Sequence, residues 1–97
     1  MQIEYSPLAE ADFDEILLYG CAHWGYEAGL AFVEELKITL RPLLDFPELG
    51  KTYDLEYLTK DRQNLRTIAH GNYQIIYEIV GDVIRVHTVI PKGRPRS

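Results

Sequence analysis

Residues 77–86, YEIVGDVIRV, constrain the fold more than any other stretch of the chain. Two runs rich in β-branched residues flank Gly81-Asp82, and a glycine-first pair is what a two-residue type II′ turn requires. Such a turn pairs Val80 with Val83, Ile79 with Ile84, Glu78 with Arg85 and Tyr77 with Val86. Strand alternation then puts Tyr73, Ile75, Tyr77, Ile79, Ile84, Val86, Thr88 and Ile90 on one face of the ribbon. Gln74, Ile76, Glu78, Arg85 and His87 take the other. The first is a core face and the second is half polar.

A third strand, about Leu65–His70, precedes this ribbon, and the turn at HGN decides which way it faces. A two-residue Gly71-Asn72 loop pairs Arg66 with Tyr77 and aims it at the core. A three-residue loop or a bulge turns Leu65 and Thr67 inward and Arg66 and His70 outward. Burying an unpaired guanidinium is costly, so the second register is the expected one. It gathers Arg66, His70, Gln74, Glu78, Arg85 and His87 on one open face.

Upstream, QIEY reads as a short strand and Ser6-Pro7 as a cap followed by a first-turn proline. Ala9, Phe13, Ile16, Leu17, Gly20 and Trp24 form one helical stripe, closed by Gly25. Gly29, Phe32, Val33, Leu36, Leu40, Leu43 and Leu44 form a second stripe over about residues 26–44, with Pro42 tightening its last turn. So short a connection implies an antiparallel helical hairpin. Residues 45–64 read as one long irregular loop, in which Tyr53 and Tyr57 have no assigned role, and PKGRPRS as an extended tail. The expected fold is α+β in a single domain over residues 1–97: a short N-terminal strand, the helical hairpin, then a three-stranded antiparallel meander.

Charge is unevenly distributed. The net charge is −5, yet residues 1–50 hold ten acids against Lys37 and Arg41, while residues 51–97 hold eight bases against five acids. An anionic partner would therefore meet the C-terminal half, and the overall sign argues against a general nucleic-acid binder. The acidic start does not read as a signal peptide, no run is long enough to span a membrane, and the lone Cys21 suits a reducing cytoplasm.

Motifs for catalysis are scarce. The serines are Ser6, a cap, and Ser97. Cys21 reads as a small buried residue, and His23 lies off its helical face. Three scattered histidines and the absence of the common metal and nucleotide motifs imply no metal and no cofactor. Glu78 opposite Arg85 reads first as an ordinary cross-strand pair.

ADFDEILLY in the first helix, AFVEEL in the second, FPELGK after it and LRTIAHGNYQIIYEIVGDVIRVHTVI together resemble the RelE/ParE superfamily of bacterial toxins. The resemblance implies a toxin neutralised by a cognate antitoxin that lies along the helical hairpin and sheet. One branch contains ribosome-dependent ribonucleases with basic residues on the exposed sheet face; the ParE-like branch inhibits DNA gyrase. Gln74 stands where the ribonucleases often carry arginine, IPKGRP replaces their usual His-Gly-Arg-Arg ending, and no tyrosine follows Tyr77. The expectation is therefore a ParE-like gyrase inhibitor, a binding protein and not an enzyme, with Arg66, Arg85, Lys92, Arg94 and Arg96 as target contacts. The alternative is an endoribonuclease acting on ribosome-bound mRNA, with Arg66 and Arg85 steadying phosphate and His87 as acid or base. A third reading is an antitoxin-binding member without toxicity.

Overall fold

The first helix is anchored to the sheet by its own cap. Ser6 accepts the Ala9 amide at 3.0 Å and donates to the His87 carbonyl at 2.7 Å, so one hydroxyl serves helix and strand. The computed structural model describes residues 1–52 and 65–92. It contains strand β1 (Gln2–Tyr5), helices α1 (Pro7–Trp24) and α2 (Tyr26–Thr39), and 3-10 turns at Arg41–Leu44 and Pro47–Leu49. Strands β2 (Lys51–Thr52), β3 (Leu65–His70), β4 (Tyr73–Val80) and β5 (Val83–Pro91) follow. The mixed α+β order is the expected one. Helix α2 stops at Thr39, short of the expected Leu44, because Pro42 has no amide to continue the ladder.

The strands form one sheet in the order β1-β5-β4-β3-β2, with β1 parallel to β5 and the other pairs antiparallel. The meander is thus flanked by a parallel strand on one edge and by two-residue β2 on the other. Strand β2 lies inside the stretch expected to be irregular. The rest of that stretch, Tyr53 and Tyr57 included, and the tail from residue 93 are outside the described residues.

The β4–β5 register is as read from the sequence, from Val80↔Val83 to Tyr77↔Val86. Gly81 has φ 58° and, among the described residues, no non-glycine residue has positive φ, so Asp82 keeps a negative φ as a type II′ turn requires. The same geometry recurs at Gly71-Asn72, and there the expectation fails. His70 pairs with Tyr73 and Arg66 with Tyr77, so Arg66, Ile68 and His70 face the helices while Leu65, Thr67 and Ala69 face away.

A register shift next to Ile76 and Tyr77 leaves His87 unmatched, because Tyr77 pairs with Val86 and Ile76 with Thr88. The added residue changes the side to which the end of β5 points. Val89 joins the main core, and Ile90, expected there, instead packs with Leu65 and Ile76 in a small cluster on the other side of the sheet. Asp12 of α1 is buried and holds the bulge: its Oδ2 accepts the Thr88 hydroxyl and the Val89 amide.

The main core packs Phe13 and Ile16 of α1 and Val33 and Leu36 of α2 onto Ile75, Tyr77, Ile84 and Val86. The two helices meet backbone to backbone: a Cβ on Gly20 would lie 2.8 Å from the Gly29 Cα.

The Pro47–Gly50 turn is seated on the sheet by Tyr77. Its hydroxyl donates to the Pro47 carbonyl at 2.8 Å and accepts the Gly50 amide at 2.9 Å. Across the ladder, Arg66 Nη1 donates to the Gly50 and Glu48 carbonyls at 2.9 and 3.3 Å. A Cβ on Gly50 would lie 2.5 Å from the Tyr77 hydroxyl and 2.7 Å from the Thr67 carbonyl, which explains the glycine without any unusual backbone angle.

Two outcomes are expected from these contacts. Gly20→Ala should lower stability by about 1–3 kcal/mol in urea unfolding, because overpacking at the crossing outweighs the gain in helix propensity. Tyr77→Phe should cost about 1–3 kcal/mol by stranding a buried amide and carbonyl. Burial, the largest influence, raises the Tyr77 pKa against the opposing Gly50 bond and Arg66. The unfolded chain therefore loses its phenolic proton first, and stability should fall as pH rises past the ordinary tyrosine value of 10.0. Tyr77→Phe should flatten that fall in unfolding curves recorded across this range, leaving the share of Tyr5, whose pKa burial also raises.

Candidate target-binding surface

The face of the sheet turned away from the helices is built by alternation from four strands. It carries Lys51 of β2, Leu65 and Thr67 of β3, Gln74 and Glu78 of β4, and Arg85 of β5. Leu65, Ile76 and Ile90 form its apolar centre, and all three are buried. On one side of that centre, a groove of about 440 Å³ runs between Lys51 and Lys92 over Thr67, Ala69 and Gln74. Thr67 donates to the Gln74 amide oxygen at 3.2 Å, and the Lys92 backbone amide donates to the Asn72 carbonyl at 2.8 Å. On the other side, His87 Nε2 lies 2.9 Å from Glu78 Oε1. Arg85, which faces Glu78 across the ladder, is exposed and forms no ion pair with it.

This arrangement corrects the expected surface. Arg66 and Arg85 lie on opposite faces of the sheet, so they do not form one docking surface. The desolvation argument against an inward Arg66 assumed that its guanidinium had no partner. Beside the short edge strand β2 it meets two backbone carbonyls, and the penalty is met. His70 is also on the helix side, 3.2 Å from Glu35 of α2, and cannot approach His87. The ribonuclease set of Arg66, Arg85 and His87 is therefore split, with only Arg85 and His87 on a common face. Among the described residues no cluster suits a metal ion.

Lys92, expected in the extended tail, directly follows β5, which runs one residue further than expected, and is exposed. Arg94 and Arg96 lie outside the described residues. Lys51 was missed because it sits in a stretch of mixed charge; its position next to Gly50, which the sheet grips, is the signal that identifies it. The outer face is thus lightly cationic through Lys51, Arg85 and Lys92.

The helical layer has the opposite character. Glu10, Asp14, Glu27, Glu34 and Glu35 are exposed there, among the exposed apolar residues Leu18, Tyr26, Leu30 and Ile38. No helix among the described residues is long and apolar enough to cross a membrane.

Comparison with known proteins agrees with this architecture. Residues 3–95 match the model of the ParE toxin of type II toxin-antitoxin systems, parDE. No curated protein matches the chain. Among solved structures, a chain from the chromosomal ParDE TA system of P. aeruginosa superposes with a TM-score of 0.75. The two are 19% identical, and the alignment covers 94% of this chain and 95% of that one, a likeness of fold. With the family model spanning nearly every residue and the fold matching, the chain belongs to the ParE toxin family of type II toxin–antitoxin systems.

Proposed function

We propose that this ParE-family chain inhibits growth by binding DNA gyrase, and that a cognate antitoxin neutralises it. The observation that carries the reading is the outer sheet face: Lys51, Arg85 and Lys92 offer exposed cations around a buried apolar centre and, among the described residues, do not form the cluster of cations that phosphate cleavage requires. Such a face suits contact with a protein, where rim charges set orientation and association rate. Arg94 and Arg96 extend the same charge in sequence. Arg66 acts indirectly, by holding the Pro47–Gly50 turn from which Lys51 emerges. The antitoxin engages the acidic, apolar helical layer, whose charge complements a basic segment. On this reading the chain works in the cytoplasm.

One observation favours the ribonuclease alternative, the 2.9 Å Glu78–His87 pair next to Arg85. The two readings separate on expression of the toxin without its antitoxin. Loss of gyrase supercoiling with intact transcripts is expected. Cleaved ribosome-bound mRNA with normal supercoiling would overturn the proposal, as would normal growth in the presence of folded protein. Single alanine substitutions at Arg85, Lys92 and Arg94 should each weaken gyrase inhibition by about two- to fivefold, the effect of a rim charge, and leave the thermal midpoint unchanged.

A further inference from the structure

The strand registers bring two lysines that are far apart in sequence to one groove of the outer face. Lys51 of β2 pairs with Thr67, Ala69 of β3 pairs with Gln74, and Gln74 of β4 pairs with Ile90, two residues before Lys92. Strands β3 and β4 therefore lie between the two lysines. Both line the groove of about 440 Å³, together with Leu49, Thr67, Ala69 and Gln74. We propose that this groove receives a carboxylate side chain, aspartate or glutamate, presented by the target protein; in naming the target the inference rests on the proposed function.

The groove carries positive charge without a counter-charge of its own. Among the described residues neither lysine is paired with a carboxylate, and no acid lines the groove. Gln74 gives its amide oxygen to the Thr67 hydroxyl at 3.2 Å, while its NH2 group has no partner among the described residues. An anionic acceptor answers all three groups. The rest of the lining decides between anions. Leu49, 56% exposed, and Ala69 are apolar, and no described arginine lines the groove. A carboxylate on a peptide brings its methylenes and neighbouring residues to cover that apolar surface, which a phosphate backbone does not. A polyanion would also meet a chain of net charge −5.

Both lysines leave from anchored backbone. Lys51 is paired with Thr67 and follows Gly50, whose amide donates to the Tyr77 hydroxyl and whose carbonyl accepts Arg66, each at 2.9 Å. Lys92 donates its own backbone amide to the Asn72 carbonyl at 2.8 Å, at the turn between β3 and β4. With both origins fixed, only the lysine side chains have to be ordered when a carboxylate enters.

The test has two arms, both on the full chain. In the first, an acetylated Gly-Glu-Gly amide, its neutral glutamine counterpart and a thymidine dinucleotide are titrated while the Gln74 side-chain NH2 and the Thr67 and Ala69 amide resonances are followed. Saturable shifts are expected with the glutamate peptide. Binding should be at least about fivefold weaker for the other two probes, and for the glutamate peptide on Lys51→Gln/Lys92→Gln. Equal response to both peptides, or none, would overturn the proposal, and tighter binding of the dinucleotide would assign the groove to nucleic acid instead. In the second arm, Lys51→Gln and Lys92→Gln should each weaken gyrase binding by about two- to fivefold. The double variant should lose less than the product of the two, because cations that share one carboxylate do not act independently. A loss equal to the product would overturn the shared carboxylate. Unchanged gyrase affinity in the double variant, with weakened antitoxin binding, would overturn the target as its source. Failure of the unmodified chain to bind gyrase would sink the proposed function and the target named here, whereas the tripeptide reads the groove without either.

Discussion

The Tyr77 hydroxyl is the point on which the arrangement of both faces depends. It is fully buried, and it closes a hydrogen-bonded junction with Pro47 and Gly50 that Arg66 completes from the neighbouring strand. Without that junction the chain leaving α2 has no fixed path to the edge of the sheet, and Lys51 has no defined place on the outer face. The junction also stabilises the register of β3. Shifting that strand by one residue would turn Arg66 outward, pull Ile68 away from the helices and leave the Gly50 and Glu48 carbonyls without their donor. The Gly50 carbonyl, partly buried, would lose its donor, so the tight Gly71-Asn72 turn and the Arg66 contacts support each other.

Two surfaces of different chemistry follow from this. The helical layer is acidic and studded with exposed apolar side chains, whereas the outer sheet face is lightly cationic around an apolar centre. A protein of net charge −5 thus presents two surfaces of opposite charge character. The ParE family assignment implies an antitoxin, and the sheet face is the surface proposed for a target. Splitting Arg66 from Arg85 and His87 means that this set cannot act together to steady a pentacoordinate phosphate. The Glu78–His87 pair is then readily understood as a cross-strand contact beside the bulge.

The sequence was legible wherever one local rule governed the outcome. Ser6-Pro7, Gly25 and Gly81-Asp82 each have a single favourable backbone solution, and the helices and the β4–β5 pairing follow from them. The HGN turn carried the same glycine-first signature as Gly81-Asp82. It was misread because a charge penalty was weighed without the partner, and that partner lies sixteen residues away in sequence. The bulge at His87 left no signal in the alternating pattern, and neither did the burial of Asp12, which reads locally as a helix N-terminal acid. Lys51 was hidden for a related reason: β2 exists only because β3 offers it an edge. In each case the deciding contact is long-range, where local patterning carries no information.

The Tyr77 junction is measured most directly by amide hydrogen exchange at Gly50 in the native state. The Gly50 amide is neither in a helix nor in a strand, and its acceptor is the buried Tyr77 hydroxyl. Protection comparable to that of the β4 amides is expected, falling sharply in Tyr77→Phe. Exchange of Gly50 at the rate of an unprotected loop in the unmodified protein would contradict it, and with it the position of Lys51 and the face assigned to Arg66.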